Sequence, residues 1–305
     1  MRTFLIDRLI RFFVVVFGAT LIAFTLLRLS GDPATVLLPV FATPQQRQQL
    51  REELGLNQPP PVQFLAYVSR VAQGDFGESW KYREPALGVV IDRFPATLEL
   101  VGASLGLAVL VGVLLGVAAS TRAGRARDAA VITFALVARA VPTFWLGTLF
   151  ILLFSVNLGW LPTSGVGGPE NFIMPVLTIA LFFIAEFAMV VRASMVEALA
   201  TDYVRAAMAK GLPRRLIVFR HALRNSLNPL VSVIAVNIGA LLGGTVIVEN
   251  VFAWPGIGRL AVEAVGNTDY PVLQTIVLLL AIMVGLVTMT ADLLYGVLDP
   301  RIRRS

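Results

Sequence analysis

The chain offers few side chains that perform covalent chemistry. It has no cysteine and one histidine, His221, which excludes a thiolate nucleophile and a multi-histidine metal site. Neither of its lysines, Lys81 and Lys210, belongs to the Gly-Lys-Ser/Thr sequence that a phosphate-cradling loop requires. The sequence therefore predicts no catalytic residue, no metal site, no cofactor in this chain and no ATP hydrolysis through such a loop.

Two charged residues interrupt apolar runs: Arg139 within residues 129–156 and Glu186 within residues 173–191. A charge at membrane depth is costly, so each is expected to face protein or a water-filled cavity. Counted from the ends of their runs, Arg139 is about 7 Å deeper than Glu186, which a long arginine side chain spans. We hypothesise an ion pair that ties two helices in one gating state. A static structural pair, or an arginine bonded to a carbonyl near Pro142, is the alternative.

A basic stretch, residues 197–229, separates two apolar runs. Together with Arg192 just before it, the stretch carries seven positive charges: Arg192, Arg205, Lys210, Arg214, Arg215, Arg220 and Arg224. Its first part has the pattern of a short helix that Thr201 or Asp202 caps and that Gly211 ends in a left-handed conformation. A second helix is expected to start near Pro213, with an apolar stripe at Leu216, Phe219, Leu223 and Leu227.

The first of these helices is suited to docking with another protein. Ala206 and Ala207 keep one face shallow, so that a second surface is able to approach closely. Arg205 and Lys210 are able to pair with acidic groups on that surface, and Gly211 permits a sharp reversal. The alternative interpretation is an amphipathic segment that its arginines hold on lipid headgroups.

The composition requires a lipid bilayer around most of the chain. Of its 305 residues, 57% are hydrophobic and 14% are charged. Six apolar runs are long enough for a hydrocarbon core of about 30 Å: 12–27, 100–121, 129–156, 173–191, 230–248 and 272–295. We therefore predict an all-α polytopic membrane protein with six transmembrane helices, the third of them, which contains Arg139 and Pro142, either kinked or led in by an interfacial turn.

The longest polar region lies between the first two spans, at residues 30–97. A capped amphipathic helix at 43–54, renewed helical periodicity at 62–71 and turns at 30–33 and 74–77 indicate a small helical subdomain. The predicted organisation is a first span within residues 1–29 and an extracytoplasmic subdomain at 30–97. A core follows at 98–296 with a cytoplasmic loop at 192–229, and a tail closes the chain at 297–305.

The distribution of arginine predicts the orientation of the chain. Most of the net charge of +6 comes from arginines in the N-terminus, the loop at 122–127, the basic stretch and the tail, whereas the short loops 157–172 and 249–271 contain only Arg259. Positive short loops stay in the cytoplasm, so both termini are predicted to be cytoplasmic and residues 30–97 to face outward. This explanation of the charge is preferred to binding of nucleic acid, which we do not predict.

Several short motifs resemble the permease subunits of dipeptide and oligopeptide ABC importers. The stretches DYVRAAMAKGL at 202–212 and RHALRNSLNP at 220–229 are similar to the EAA loop of this family, although Arg205 stands at its glutamate position and the closing proline, Pro229, falls late. The resemblance covers essentially the whole chain through LSGDP at 29–33, LGLN at 54–57, GDFG at 74–77, RFPATL at 93–98, PTFWLG at 142–147, LGWLP at 158–162, VENVFAWPG at 248–256 and LDPRIR at 298–303.

This resemblance implies the fold of a type I ABC importer permease in the plasma (inner) membrane of a bacterium or archaeon. It implies four kinds of partner: a homologous second permease subunit, two ABC ATPase subunits or domains that hold ATP and magnesium, an extracytoplasmic substrate-binding protein, and the lipid bilayer. Peptides are the implied substrate, with nickel or an oligosaccharide as the alternative. The implied ATPase-coupling residues are Glu197, Ala198, Asp202, Tyr203, Arg205, Ala206, Ala207, Lys210 and Gly211.

Glu249, Asn250 and Trp254 are expected at the outer mouth, where they are candidates for contact with the binding protein or the substrate. An ordinary interfacial aromatic is the simpler interpretation of Trp254.

Two other classes of protein remain as alternatives to an ABC importer permease. A secondary transporter or channel predicts inverted repeats or several buried titratable groups, and a membrane-embedded enzyme requires a catalytic constellation.

Overall fold

The computed structural model describes residues 2–30, 34, 37, 38 and 42–298, without the side chains of residues 2–5, 30 and 291–298. Residues 31–33 of the predicted turn and most of the predicted tail, including Arg301, Arg303 and Arg304, lie outside the described residues. Within the described part, the chain is helical apart from loops and one isolated bridge between Glu78 and Pro85.

Eleven helices follow one another in the described ranges. They are α1 (Arg2–Ser30), α2 (Pro44–Glu53), α3 (Pro60–Ala72), α4 (Ala86–Ser120), α5 (Ala126–Ala140), α6 (Thr143–Asn157), α7 (Pro169–Ala200), α8 (Asp202–Ala209), α9 (Arg214–Val251), α10 (Ile257–Gly266) and α11 (Tyr270–Leu298). Helices α1, α4, α7, α9 and α11 are long and apolar enough to cross a membrane, and α5 with α6 makes a sixth span if the bent pair counts as one.

The third predicted span is sharply bent. Helices α5 and α6 meet at 98°, with Val141 extended (φ −84°, ψ 123°) and Pro142 immediately after it. Proline disfavours the helical conformation at the residue before it, which explains why the bend falls at this point. The helix is therefore broken at Pro142, the place where the sequence predicted a kink or an interfacial turn.

The chain divides into two compact units, residues 1–95 with 260–305, and residues 96–259. This division differs from the predicted domains because α1 and α11 pack along each other and place both ends of the chain in the first unit. A linear division of the sequence does not register such a long-range contact.

The first unit contains the predicted outer helices. Thr43 and Gln46 form a reciprocal capping box at the start of α2. Phe24 of α1 packs edge-on against Phe64 of α3, with 5.3 Å between the ring centroids. Tyr67 lies beside them, and burial raises the pKa of its hydroxyl to about 12. The aromatic cluster thus joins the outer helices to the first span.

The second unit is built around α7. Phe187 and Val191 of α7 are fully buried in the largest apolar cluster, to which α4, α6 and α9 also contribute. The contact with α4 is so close that a Cβ at Gly116 would lie 2.7 Å from the Cβ of Val191. Glycine at this position therefore sets the distance between α4 and α7.

Candidate functional site

Helix α8, the first part of the basic stretch, exposes most of its surface. Only Val204 and Ala207 are buried, and both pack against Ile217 of α9. The remaining side chains of α8, including Arg205 and Ala206, are exposed. The expectation that Ala207 lies on the docking face is therefore wrong, because Ala207 faces inward, whereas Ala206 faces outward.

The C-terminal end of α8 is a tight glycine turn. Gly211 has φ = 77° and donates its N–H to the Met208 carbonyl at 3.0 Å, while the Leu212 N–H reaches the Ala207 carbonyl at 3.3 Å. These two hydrogen bonds define a Schellman motif, and they satisfy carbonyls that the helix end leaves unpaired. The predicted left-handed conformation of Gly211 is confirmed, and Lys210 is exposed beside it.

The N-terminal end of α8 differs from its prediction. Thr201 occupies the N-cap position, but its hydroxyl donates to the Ala198 carbonyl at 2.6 Å instead of accepting a backbone N–H. Asp202 lies 3.3 Å from the guanidinium of Arg205. The hydroxyl of Thr201 thus bonds to the last turn of α7, where Ala198 is half-buried and Glu197 is exposed.

The second basic helix continues into the membrane as part of α9. One helix runs from Arg214 to Val251, with Pro229 inside it, so the predicted helix from Pro213 and the predicted span at 230–248 are parts of one continuous helix. A π-helical turn at Ile217–Ala222 shifts the buried face, and Phe219 of the predicted stripe is 57% exposed. Helix α8 is therefore followed, after the turn at Gly211, by a continuous helix of 38 residues.

Two further hydrogen bonds connect α8, the start of α9 and the end of α4. The amide of Asn225 on α9 donates to the hydroxyl of Tyr203 on α8 at 3.0 Å. The guanidinium of Arg214 donates to the Thr121 carbonyl at the end of α4 at 2.9 Å. These two bonds join α8 to α9, and the start of α9 to the end of α4.

Sequence reasoning missed a buried ion pair beside these contacts. Arg192 of α7 donates from both Nε and Nη2 to the carboxylate of Asp128 on α5, and the Nη2 bond measures 2.7 Å. The N–H of Gly124 donates to the same carboxylate at 2.8 Å. The sequence contains a sign that Asp128 has a specific partner, since it is the only acidic residue between positions 100 and 169 and follows three arginines.

The predicted outer-mouth residues are mostly buried. Glu249 is fully buried, and it accepts hydrogen bonds from the Thr97 hydroxyl at 2.7 Å and from the Arg259 N–H at 2.9 Å. The Thr97 hydroxyl also accepts the Ile257 N–H at 2.9 Å. Glu249 and Thr97 therefore hold the first turn of α10, because its backbone N–H groups lack partners within the helix.

Trp254 is also buried, and its indole N–H donates to the Ala96 carbonyl at 2.9 Å. Glu249 and Trp254 are thus both buried against partners within the second unit. Asn250 alone of the three is exposed, with its amide on the Val246 carbonyl at 2.7 Å.

Arg139 and Glu186 do not form the predicted ion pair. The guanidinium of Arg139 lies 5.5 Å from the ring centroid of Phe182, while Glu186 accepts a hydrogen bond from Asn237 at 3.1 Å. Counted from the Asp128–Arg192 ion pair, which joins the two helices at one level, Arg139 lies about 16 Å along α5 and Glu186 about 9 Å along α7. The predicted difference in depth of about 7 Å is therefore retained, and the guanidinium lies level with Phe182 rather than with Glu186.

The described residues contain no group of three or more histidine, aspartate or glutamate side chains placed to hold a metal ion. The ion pairs among the described residues of the second unit join two helices, as Arg192 and Asp128 do, or lie at a helix end, as Arg205 and Asp202 do.

Comparison with known proteins identifies the family. Residues 108–304 match the family "Binding-protein-dependent transport system inner membrane component", and residues 1–101 match its N-terminal membrane component. The chain is 38% identical to a di/tripeptide transport system permease protein of Pseudomonas aeruginosa, over 99% of both chains. It is 39% identical to a glutathione transport system permease protein of Escherichia coli K12, again over 99% of both.

A solved structure shares the fold. A chain of the inward-facing MetNI methionine ABC transporter aligns with a TM-score of 0.59 at 22% identity, covering 71% of this chain and 99% of that one. The predicted permease fold is thus confirmed. With both family regions matched and full-length relatives near 40% identity, the chain belongs to the inner-membrane components of binding-protein-dependent transport systems.

Proposed function

We propose that this chain is one of two related transmembrane subunits of an ATP-driven importer of di- and oligopeptides. Peptide and glutathione permeases among its full-length relatives support this substrate class, since glutathione is itself a tripeptide. The partners of the chain are then a homologous permease, two ATPase subunits that hold ATP and magnesium, and an extracytoplasmic binding protein.

The observation that carries the proposal is the geometry of α8. A short helix with an exposed outer face, at which Tyr203, Arg205 and Lys210 are accessible, is joined through Gly211 to a 38-residue helix that enters the apolar core. An ATPase that closes on ATP and draws α8 with it moves α9 as a rigid body. The coupling residues are the exposed ones of the predicted set, while Val204 and Ala207 hold α8 against α9.

Under this proposal α8 and both termini lie in the cytoplasm. The arginines of the loop at 122–127 and of the basic stretch support that orientation. The predicted outer subdomain then lies on the side from which the binding protein delivers its peptide.

The test is transport by the assembled complex in proteoliposomes. We expect radiolabelled dialanine to accumulate with ATP and the binding protein, and to stop accumulating when the phosphate-loop lysine of the partner ATPase is replaced. Accumulation driven by a proton gradient without ATP would instead indicate a secondary transporter. Accumulation of Ni²⁺ or of an oligosaccharide but not of peptide would refute the assigned substrate and leave the importer mechanism standing.

A further inference from the structure

We propose that Glu186 and Arg139 bind the two charged ends of a short peptide during its passage, Glu186 the ammonium end and Arg139 the carboxylate end. Asn237 holds the glutamate in place. The inference rests on the proposed function, because it requires a peptide as the transported solute.

The acidic half of this arrangement is Glu186 on α7. Its carboxylate is half-buried far from either end of the helix, and its recorded partner is the amide of Asn237 at 3.1 Å. That amide also donates to the Val233 carbonyl at 2.9 Å, so it is fixed to its own helix. No positive side chain among the described residues lies within ion-pair distance of Glu186. An ionised carboxylate at membrane depth lowers its free energy by binding a cation, and a peptide ammonium is one.

The basic half is Arg139 on α5, just before the bend. Its side chain is exposed, and its guanidinium lies over the face of Phe182 at 5.5 Å without a carboxylate partner in the described part of the chain. Small buried residues, Ala135, Ala138 and Ala185, bring α5 close to α7 at this level. The guanidinium therefore keeps its planar N–H groups for a carboxylate.

The spacing of the two charges suits a short peptide. Phe182 and Glu186 are one helical turn apart on α7, so their side chains are neighbours about 5–6 Å apart at Cβ. The guanidinium of Arg139, which lies over Phe182, and the carboxylate of Glu186 are thus about one helical turn apart along α7. An extended dipeptide places its charged ends about 7 Å apart. Two opposite charges that lie about one helical turn apart in depth, each with a neutral partner, form a receptor for a zwitterion.

The absence of cysteine makes the proposal directly testable. Ala240 is exposed and lies one turn beyond Asn237 on α9, so an Ala240→Cys variant places a single reporter thiol next to the residue that bonds Glu186. The probe is a neutral maleimide, applied to the permease–ATPase complex in nanodiscs with cysteine-free partners. The binding protein is left out, so that it contributes no recognition of peptide ends. The ligands are dialanine, N-acetyl-dialanine and dialanine amide.

We expect dialanine to slow the labelling, and each end-blocked peptide to need about tenfold or more concentration for the same protection. In Glu186→Gln, dialanine and N-acetyl-dialanine should become equivalent, whereas in Arg139→Gln dialanine and its amide should become equivalent. Glu170→Gln, which removes an exposed carboxylate at the far end of α7, should keep the wild-type order. Glu186→Asp should retain discrimination at the ammonium end.

Equal protection of the thiol by all three peptides in the wild type would overturn the inference. So would a Glu186→Gln variant in which N-acetyl-dialanine still protects less well than dialanine. The double variant Arg139→Glu/Glu186→Arg is a further test. If it restores transport but is protected equally by free and end-blocked peptides, the two residues have a structural role and do not bind the peptide ends. If the wild-type complex takes up no peptide with ATP, the proposed function fails as well. If it takes up peptide but does not discriminate between blocked ends, only the inference fails.

Discussion

Gly211 is the residue on which the turn at the end of α8 depends. At φ = 77° its backbone occupies a region that costs a residue with a side chain about 1–2 kcal/mol. No atom lies within 4 Å of a Cβ built there, so the constraint is conformational rather than steric. Glycine is therefore required by the turn and not by packing.

We predict that Gly211→Val uncouples the transporter. Valine is β-branched and disfavours the left-handed conformation, so the Schellman turn reopens and α8 changes its direction. Co-purification of the ATPases and ATP-driven uptake should both fall at least severalfold, while the chain still inserts into the membrane. Gly55→Val is the matched control, because Gly55 has φ = 65° and no neighbouring atoms but lies outside α8. Wild-type uptake by Gly211→Val would refute the role of the turn.

Among the elements, α5 and α7 are joined by the ion pair between Asp128 and Arg192. Asp128 is buried, and both of its carboxylate oxygens accept bonds from Arg192. Removing one partner leaves the other charge without compensation, which costs more than the pair contributes. The pair lies close in sequence to the loop at 122–127 and to the end of α7 that precedes α8.

We predict that Asp128→Asn lowers the thermal unfolding midpoint of the purified chain in detergent by several degrees. Replacing both partners, as in Asp128→Asn/Arg192→Met, should recover part of the loss because no unpaired charge remains. Asp7→Asn is the control, since Asp7 pairs with Arg11 on an exposed face of α1 and such pairs contribute little. If Asp128→Asn and Asp7→Asn lowered the unfolding midpoint equally, the buried position of Asp128 would not explain the loss of stability.

At the scale of the whole molecule, the arginine pattern predicts a topology that thiol labelling is able to measure. Gln49 on α2 and Ala123 in the loop after α4 are both exposed, and the chain has no native cysteine. In intact spheroplasts, a membrane-impermeant maleimide should label Gln49→Cys at once and Ala123→Cys only after permeabilisation. The reverse order of labelling would place α8 outside, where it has no access to a cytoplasmic ATPase.

The sequence by itself determined the features that depend on local pattern and solvent. Hydrophobic run lengths predicted the spans because a bilayer accepts only long apolar helices. Pro142 predicted the break of the third span, and Gly211 predicted the end of α8, because both act on backbone angles within one or two residues.

Only the tertiary structure decided which side chains meet. The π-helical turn at Ile217–Ala222 rotates the face of α9, so periodicity misplaced Phe219 on the buried side. Asp128 finds Arg192 across 64 positions, and Glu186 takes Asn237 in place of Arg139. Such contacts arise from how close and at what angle helices pack, which depends on distant residues such as Gly116. Local pattern identifies the helices, and packing selects the partners of their charged groups.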